Sequence, residues 1–306
     1  MKRFLCQIGV FLVVFVIVCT IPFYVFEKKA TECTDKSPYA KVNEVTKMKD
    51  INADLLILGN CRAAGGYDDT LMTSLSGLRC LNLGWGGSSF DYSYHIMYKT
   101  YLRHNKKPRY IIVDMSLWAF LDHETAVYTI QMLPYINRPE FQFYIDMCPQ
   151  LSNADKLLFV RYMGTMVKVV EEIHRLNRPE PPKEIPSSWQ EDYYGEPQPL
   201  RCNKAIVQLF DKFLDECLSD GIQVILVSSP MHVKDGLNYF DTKTFWNIVT
   251  ECVSGTGFPI ISYAEYFDSD TTYFSDPTRL NGQGREVFTS KLIHDLDSVG
   301  IIKTNK

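Results

Sequence analysis

The longest apolar stretch comes first. Phe4 to Phe26 is interrupted by polar side chains only at Gln7 and Thr20. At 1.5 Å per residue, about 23 residues cover roughly 34 Å, enough to cross a bilayer. Lys2 and Arg3 precede the run, so the positive-inside rule puts the N-terminus in the cytoplasm. Glu27-Lys28-Lys29 on the far side weakens that bias without reversing it. A cleaved signal peptide has a shorter apolar region and an Ala-x-Ala-like site, and no such site follows here. Residues 1–30 therefore read as an uncleaved signal anchor, with the body outside the cytoplasm, periplasmic or at the cell surface. Residues 31–50, polar from Thr31 to Met48, read as a juxtamembrane linker.

A different rhythm begins at Asp54. Leu55 to Leu58 is apolar, too short for a helix and stopped by Gly59, which predicts a buried strand of a parallel sheet. Leu78–Leu83, Tyr110–Met115, Ile222–Val227 and the short Pro259–Ser262 read as further strands. Helical spacing fills the gaps. Leu71 and Leu75 follow the capping candidates Asp68 and Asp69; Tyr94, Met97 and Tyr101, on to about His104, follow Ser88 or Ser89. Ile206, Leu209, Phe210, Phe213 and Leu214 line one face of Cys202–Ser219, which Gly221 ends. Asp241–Val253 and Arg285–Leu296 are the remaining helices, the last preceded by a turn cluster over Asp276–Gly284. Strands alternating with helices predict an α/β body over 51–300, its sheet wound with right-handed crossovers.

From about Leu117 to Leu200 the alternation stops. Asn153 to Leu176 has helical spacing at Leu157, Leu158, Val160, Met163, Val167 and Val170, and Asn177 to Pro199 reads as an irregular loop. This region, about 117–200, reads as a mostly helical insertion or cap beside the carboxyl ends of the strands. Its tyrosines, with Trp118 and Trp189, suit either a carbohydrate groove or packing of the cap.

Composition narrows the classes. The 306 residues are 46% hydrophobic and 22% charged, ordinary for one sizeable core plus an insertion. A net charge of -4 gives no electrostatic case for nucleic acid. Of nine cysteines, Cys6 and Cys19 lie in the anchor, leaving Cys33, Cys61, Cys80, Cys148, Cys202, Cys217 and Cys252. An odd number leaves at least one free thiol in an oxidising compartment. No C-x-x-C pair occurs, which argues against zinc, and the pattern asks for no metal or cofactor. Gly84-x-Gly86-Gly87 is not G-x-G-x-x-G and no P-loop lysine is present, so a nucleotide binder lacks support.

The candidate chemistry sits after the first strand. Gly59-Asn60-Cys61-Arg62-Ala63 makes a strand–turn–helix that presents Cys61 at the carboxyl end of the sheet. Backbone N–H groups at the helix start can face a developing negative charge. The bland reading is a small buried cysteine. A second block, Phe274-Ser-Asp276-Pro-Thr-Arg279-Leu280-Asn281-x-x-Gly284, precedes the last helix. Together the two blocks resemble the SGNH hydrolase superfamily, the GDSL-type esterases. Within it they resemble most the membrane-anchored members linked to acylation of cell-surface polymers, as in alginate acetylation and teichoic acid D-alanylation.

The resemblance covers about 50–300 apart from the insertion, and implies a flavodoxin-like three-layer sandwich with a central parallel sheet. It implies catalytic positions at Cys61, Asp276 and Arg279, where the family has Ser, Asp and His. It implies oxyanion or substrate contacts at Gly84 or Gly86, and at Asn60, Arg62 and Asn281. The family's Gly-x-Asn after the third strand has no match in Asp114-Met115-Ser116. A thiolate can replace a serine nucleophile. Arginine cannot replace the histidine, because it never releases its proton at neutral pH. Arg279 beside Asp276 is expected to form a bidentate ion pair. Of the six histidines, His95, His104, His123, His174, His232 and His294, the strand-following His232 and His123 are alternative bases, His232 first.

Two functions remain. One is an esterase or O-acyltransferase using Cys61 on acyl groups of a surface polysaccharide. The other is a pseudoenzyme that binds a cell-surface glycan or scaffolds its acylation machinery. The Cys61 and Arg279 pair favours the second. The membrane, through the N-terminal helix, is a partner in both.

Overall fold

The computed structural model describes residues 2–34, 38–121, 132–141, 151–163, 166–177, 202–232, 242–268 and 270–302. Two helices come first, α1 (Lys2–Glu32) and α2 (Pro38–Lys47). Strand β1 (Leu55–Leu58) leads to α3 (Cys61–Gly66) and α4 (Asp69–Ser76). Strand β2 (Cys80–Asn82) leads to α5 (Phe90–Tyr92), which continues through a π-helical stretch, Ser93–Tyr98, into α6 (Lys99–Leu102). After β3 (Tyr110–Asp114) come α7 (Leu158–Tyr162), α8 (Met166–Leu176) and α9 (Lys204–Ser219). Then follow β4 (Gln223–Ser228), α10 (Thr242–Val253), β5 (Ile260–Ser262), a hairpin of β6 (Phe274–Asp276) and β7 (Arg279–Leu280), and α11 (Gly282–Ser298). The chain divides into two units, 1–44 with 124–183, and 45–123 with 184–306.

In the larger unit the five strands β2-β1-β3-β4-β5 are all parallel. This is the flavodoxin order, and helices cover both faces. Strands β1 and β3 are buried along their whole length, as the apolar run of β1 and of β3 up to Val113 requires. On one face Leu55, Ile57, Ile112 and Ile225 pack with Phe288 and Leu292 of α11 and Met72 of α4. The opposite layer is aromatic. Phe90 stands edge-on to Phe210 and Phe213 of α9, at 4.9 and 5.3 Å, and Phe120 lies 5.6 Å from Phe245 of α10. Burying each such ring contributes about 1.5–3 kcal/mol. Asp68 caps α4 through Leu71 N–H at 2.9 Å, and Gly77, at φ 70°, closes it.

In the smaller unit α1 is long and apolar enough to cross a membrane. Its later turns differ: Phe23, Phe26 and Ala30 are fully buried. The Tyr162 ring lies 5.1 Å from that of Phe23 and 5.6 Å from that of Phe26. The buried Arg161 guanidinium meets the Glu27 carboxylate and donates to the Asp155 and Lys156 carbonyls, each at 2.8 Å. Tyr162 Oη donates to Glu27 at 3.0 Å, and Tyr135 Oη to Asn43 Oδ1 at 2.7 Å. The insertion thus groups with the N-terminal helix, where the sequence suggested a cap beside the strand ends. The expected linker contains α2, whose Tyr39 and Val42 are fully buried. The helical spacing over 153–176 is not one helix, because Leu157 and Met163 are extended, with ψ of 124° and 123°. Trp189, His123, Cys148 and residues 178–199 of the expected loop lie outside the described residues.

Candidate functional site

Gly59 ends β1 at φ 147°, and a Cβ there would come within 2.8 Å of Ala63 Cβ and 3.1 Å of Asp114 Cβ. The next residue, Asn60, caps α3: its Oδ1 accepts from Arg62 N–H at 2.9 Å and its Nδ2 donates to Ser116 Oγ at 2.7 Å. Cys61 is then the first residue of α3, half-buried. Among the described residues its thiol makes no hydrogen bond, with a histidine or with anything else.

The two candidate glycines of the second block have different surroundings. A Cβ on Gly84 would lie 2.4 Å from Ala64 N, so glycine is needed for the turn to pass under α3. The Gly84 N–H is already given to Asn82 Oδ1 at 2.8 Å. Gly86 is the one beside the thiol, where a Cβ would stand 3.8 Å from Cys61 Cβ.

The hairpin carries the other two family positions. Asp276 pairs with Arg279 across β6 and β7. Asp276 Oδ1 accepts from Thr278 N–H at 2.9 Å and Thr278 Oγ1 at 3.0 Å, while Oδ2 accepts from Arg279 Nε. The ion pair is present but not bidentate: only Nε meets Oδ2, Oδ1 being taken by Thr278, and the Arg279 side chain is 48% exposed. Helix α3 packs against β7, so the hairpin and the helix bearing Cys61 are neighbours. The segment after β4 touches both, Ser229 at Arg62 of α3 and His232 at the hairpin turn. His232 donates its backbone N–H to Pro277 O at 2.9 Å, and its buried ring stands edge-on to Phe274 at 5.8 Å.

Four residues expected at the substrate hydrogen-bond within the framework. Gly84 and Asn60 are two, as above. Arg62 is buried and turned inward: Nη2 donates to the Ser229 carbonyl and to Ser229 Oγ at 2.9 Å, and Nη1 to Met231 Sδ at 3.0 Å. Asn281 caps α11 by accepting from Gly284 N–H at 2.9 Å, and its amide hydrogens go to Thr272 O at 2.6 Å and Phe274 O at 3.3 Å. Both hydrogens of that amide are therefore spent on β6 and the turn just before it.

Sequence reasoning missed the polar group behind α3. Asp114 is buried; its Oδ1 accepts from Tyr67 Oη at 2.9 Å and Ser229 N–H at 3.2 Å. Ser229 thus links an acid and a guanidinium that are both out of water, where Asp114 Oδ2 and Arg62 Nε are left without a hydrogen-bond partner, an arrangement that costs stability. Burial first, and the Asp114 charge second, push the Tyr67 phenol well above its ordinary range, so it remains a donor. The signal available in sequence was the polar pair Ser228-Ser229 directly after an apolar strand. Among the described residues no group of three or more His, Cys, Asp or Glu is placed to hold a metal ion.

These features define a parallel α/β body with a half-buried thiol at the head of the helix after β1 and an acid–arginine hairpin packed against that helix. No family model matches the sequence. No curated protein matches it either. Among solved structures, the chain is similar to a protein of Bacteroides fragilis provisionally described as an acylhydrolase. The two share 10% identity, with a TM-score of 0.36 over 84% of this chain and 94% of that one.

Proposed function

We propose that this is a membrane-anchored, extracytoplasmic protein with an SGNH-hydrolase-like body that binds an acylated cell-surface glycan, or scaffolds the machinery acylating it, without hydrolysing esters itself. The glycan rests on the resemblance of the two sequence blocks. The loss of hydrolysis rests on one observation: Asp276 is held by Arg279 and Thr278, and no histidine among the described residues is bonded to the Cys61 thiol. Ester hydrolysis needs a group that takes a proton from the nucleophile and returns it to the leaving oxygen. Arg279 keeps its proton throughout and serves neither step. p-Nitrophenyl acetate turnover near background, unchanged by Cys61→Ala, is the expected result.

A second reading has its own observation. The His232 backbone bond to Pro277 ties that residue to the turn of the hairpin carrying Asp276. If the protein turns over acyl esters and Cys61→Ala abolishes this, Cys61 is a nucleophile in an esterase or acyltransferase. His232→Ala is then the variant that identifies the base.

A further inference from the structure

We propose that the insertion seats the protein on the membrane, with one face of α8 lying in the headgroup region of the leaflet from which α1 emerges. This inference rests on the reading of α1 as a membrane anchor. Four large apolar side chains of the insertion face solvent: Leu157 at 64% exposure, Met163 at 65%, Val167 at 72% and Val170 at 54%. Val167 and Val170 are three residues apart and so share a face of α8, the face opposite the fully buried Val169. Leu157 and Met163 flank α7.

The occupant follows from α1. From Phe4, about 20 residues at 1.5 Å each carry a helix across the roughly 30 Å hydrocarbon core. That brings Phe23 and Phe26 to its far boundary. At these residues one face of α1 becomes buried and meets Tyr162, while Tyr24 stays 62% exposed. Helices α7 and α8 both pack on α1, and Lys29 Nζ donates to Asn177 Oδ1, one residue past the end of α8. This exposed face, on which Glu171 and His174 also fall at helical spacing from Val167, is therefore part of the same packed unit as the exit of the anchor. Lys168 and Glu171, beside the two valines and also exposed, set its depth. A face mixing valines with charges suits the interface, where apolar side chains sink and lysine stems reach back to water.

The test uses the full-length protein in phospholipid nanodiscs. A photoreactive p-benzoylphenylalanine replaces Val13, Val167, Val170 or Val299 in turn, and adducts are read by mass spectrometry. Lipid adducts at 167 and 170, in yield comparable with 13 and well above 299 in the body, are expected. If 13 labels lipid but 167 and 170 do not, the seating is wrong while the anchor stands. If 13 also fails, the anchor reading fails first. Adducts from 167 and 170 to a second copy, in place of lipid, overturn the proposal in favour of a dimer face.

Discussion

Cys61 is half-buried at the head of α3. Cys80 and Cys217 are buried, and burial penalises the charged thiolate. It pushes the Cys80 thiol up to about 11, the Cys217 thiol to about 12 and the Cys252 thiol to about 11. A raised pKa means less thiolate, about one in a thousand or fewer at pH 8 for such groups. Iodoacetamide at pH 8, followed by peptide mass spectrometry, should modify Cys61 while these three stay protected in the folded protein. Equal rates at all four would remove the distinction. Arg62 shows where sequence stops informing. Its neighbours, Cys61, Ala63 and Ala64, suggest an exposed turn. Its fate is decided by Ser229 and Met231, 167 and 169 positions away, and no local pattern contains that.

Among the elements, those with a strong local cause were legible. β1 and β3 fall where their apolar runs placed them, with β3 ending at Asp114. The second block hid more. It reads as a turn cluster, yet Phe274–Asp276 and Arg279–Leu280 pair as a hairpin, with side-chain bonds from Asn281 to Phe274 O and from Thr278 to Asp276 across it. The insertion's last helix was visible from its period, but its partner α1 was not, since periodicity gives a face and never what covers it. At this scale Gly84 gives a sharp prediction. Gly84→Ala puts a Cβ 2.4 Å from the Ala64 backbone nitrogen, where only a shift of α3 relieves it. Overpacking of this kind costs about 3 kcal/mol, read as a lower urea midpoint in detergent. Gly86→Ala, with only ordinary contact to Cys61, should leave the midpoint nearly unchanged.

The whole molecule joins a candidate membrane helix to an α/β body, and its function depends on which side of the membrane that body occupies. The positive residues ahead of α1 predict a body outside the cytoplasm. Protease added to spheroplasts should digest the region beyond Glu27, and protection in right-side-out vesicles would reverse the orientation. The central claim concerns Cys61 and Arg279 together, so the most direct measurement rebuilds what is missing. Purified full-length protein is assayed for p-nitrophenyl acetate hydrolysis as the natural chain, Cys61→Ser, Arg279→His, and the Cys61→Ser, Arg279→His double variant. Background turnover is predicted for the first two, because neither supplies a proton acceptor in the place of Arg279. A measurable rise is predicted only where histidine stands at 279 beside Asp276. Robust turnover by the natural chain, lost in Cys61→Ala, would contradict the account.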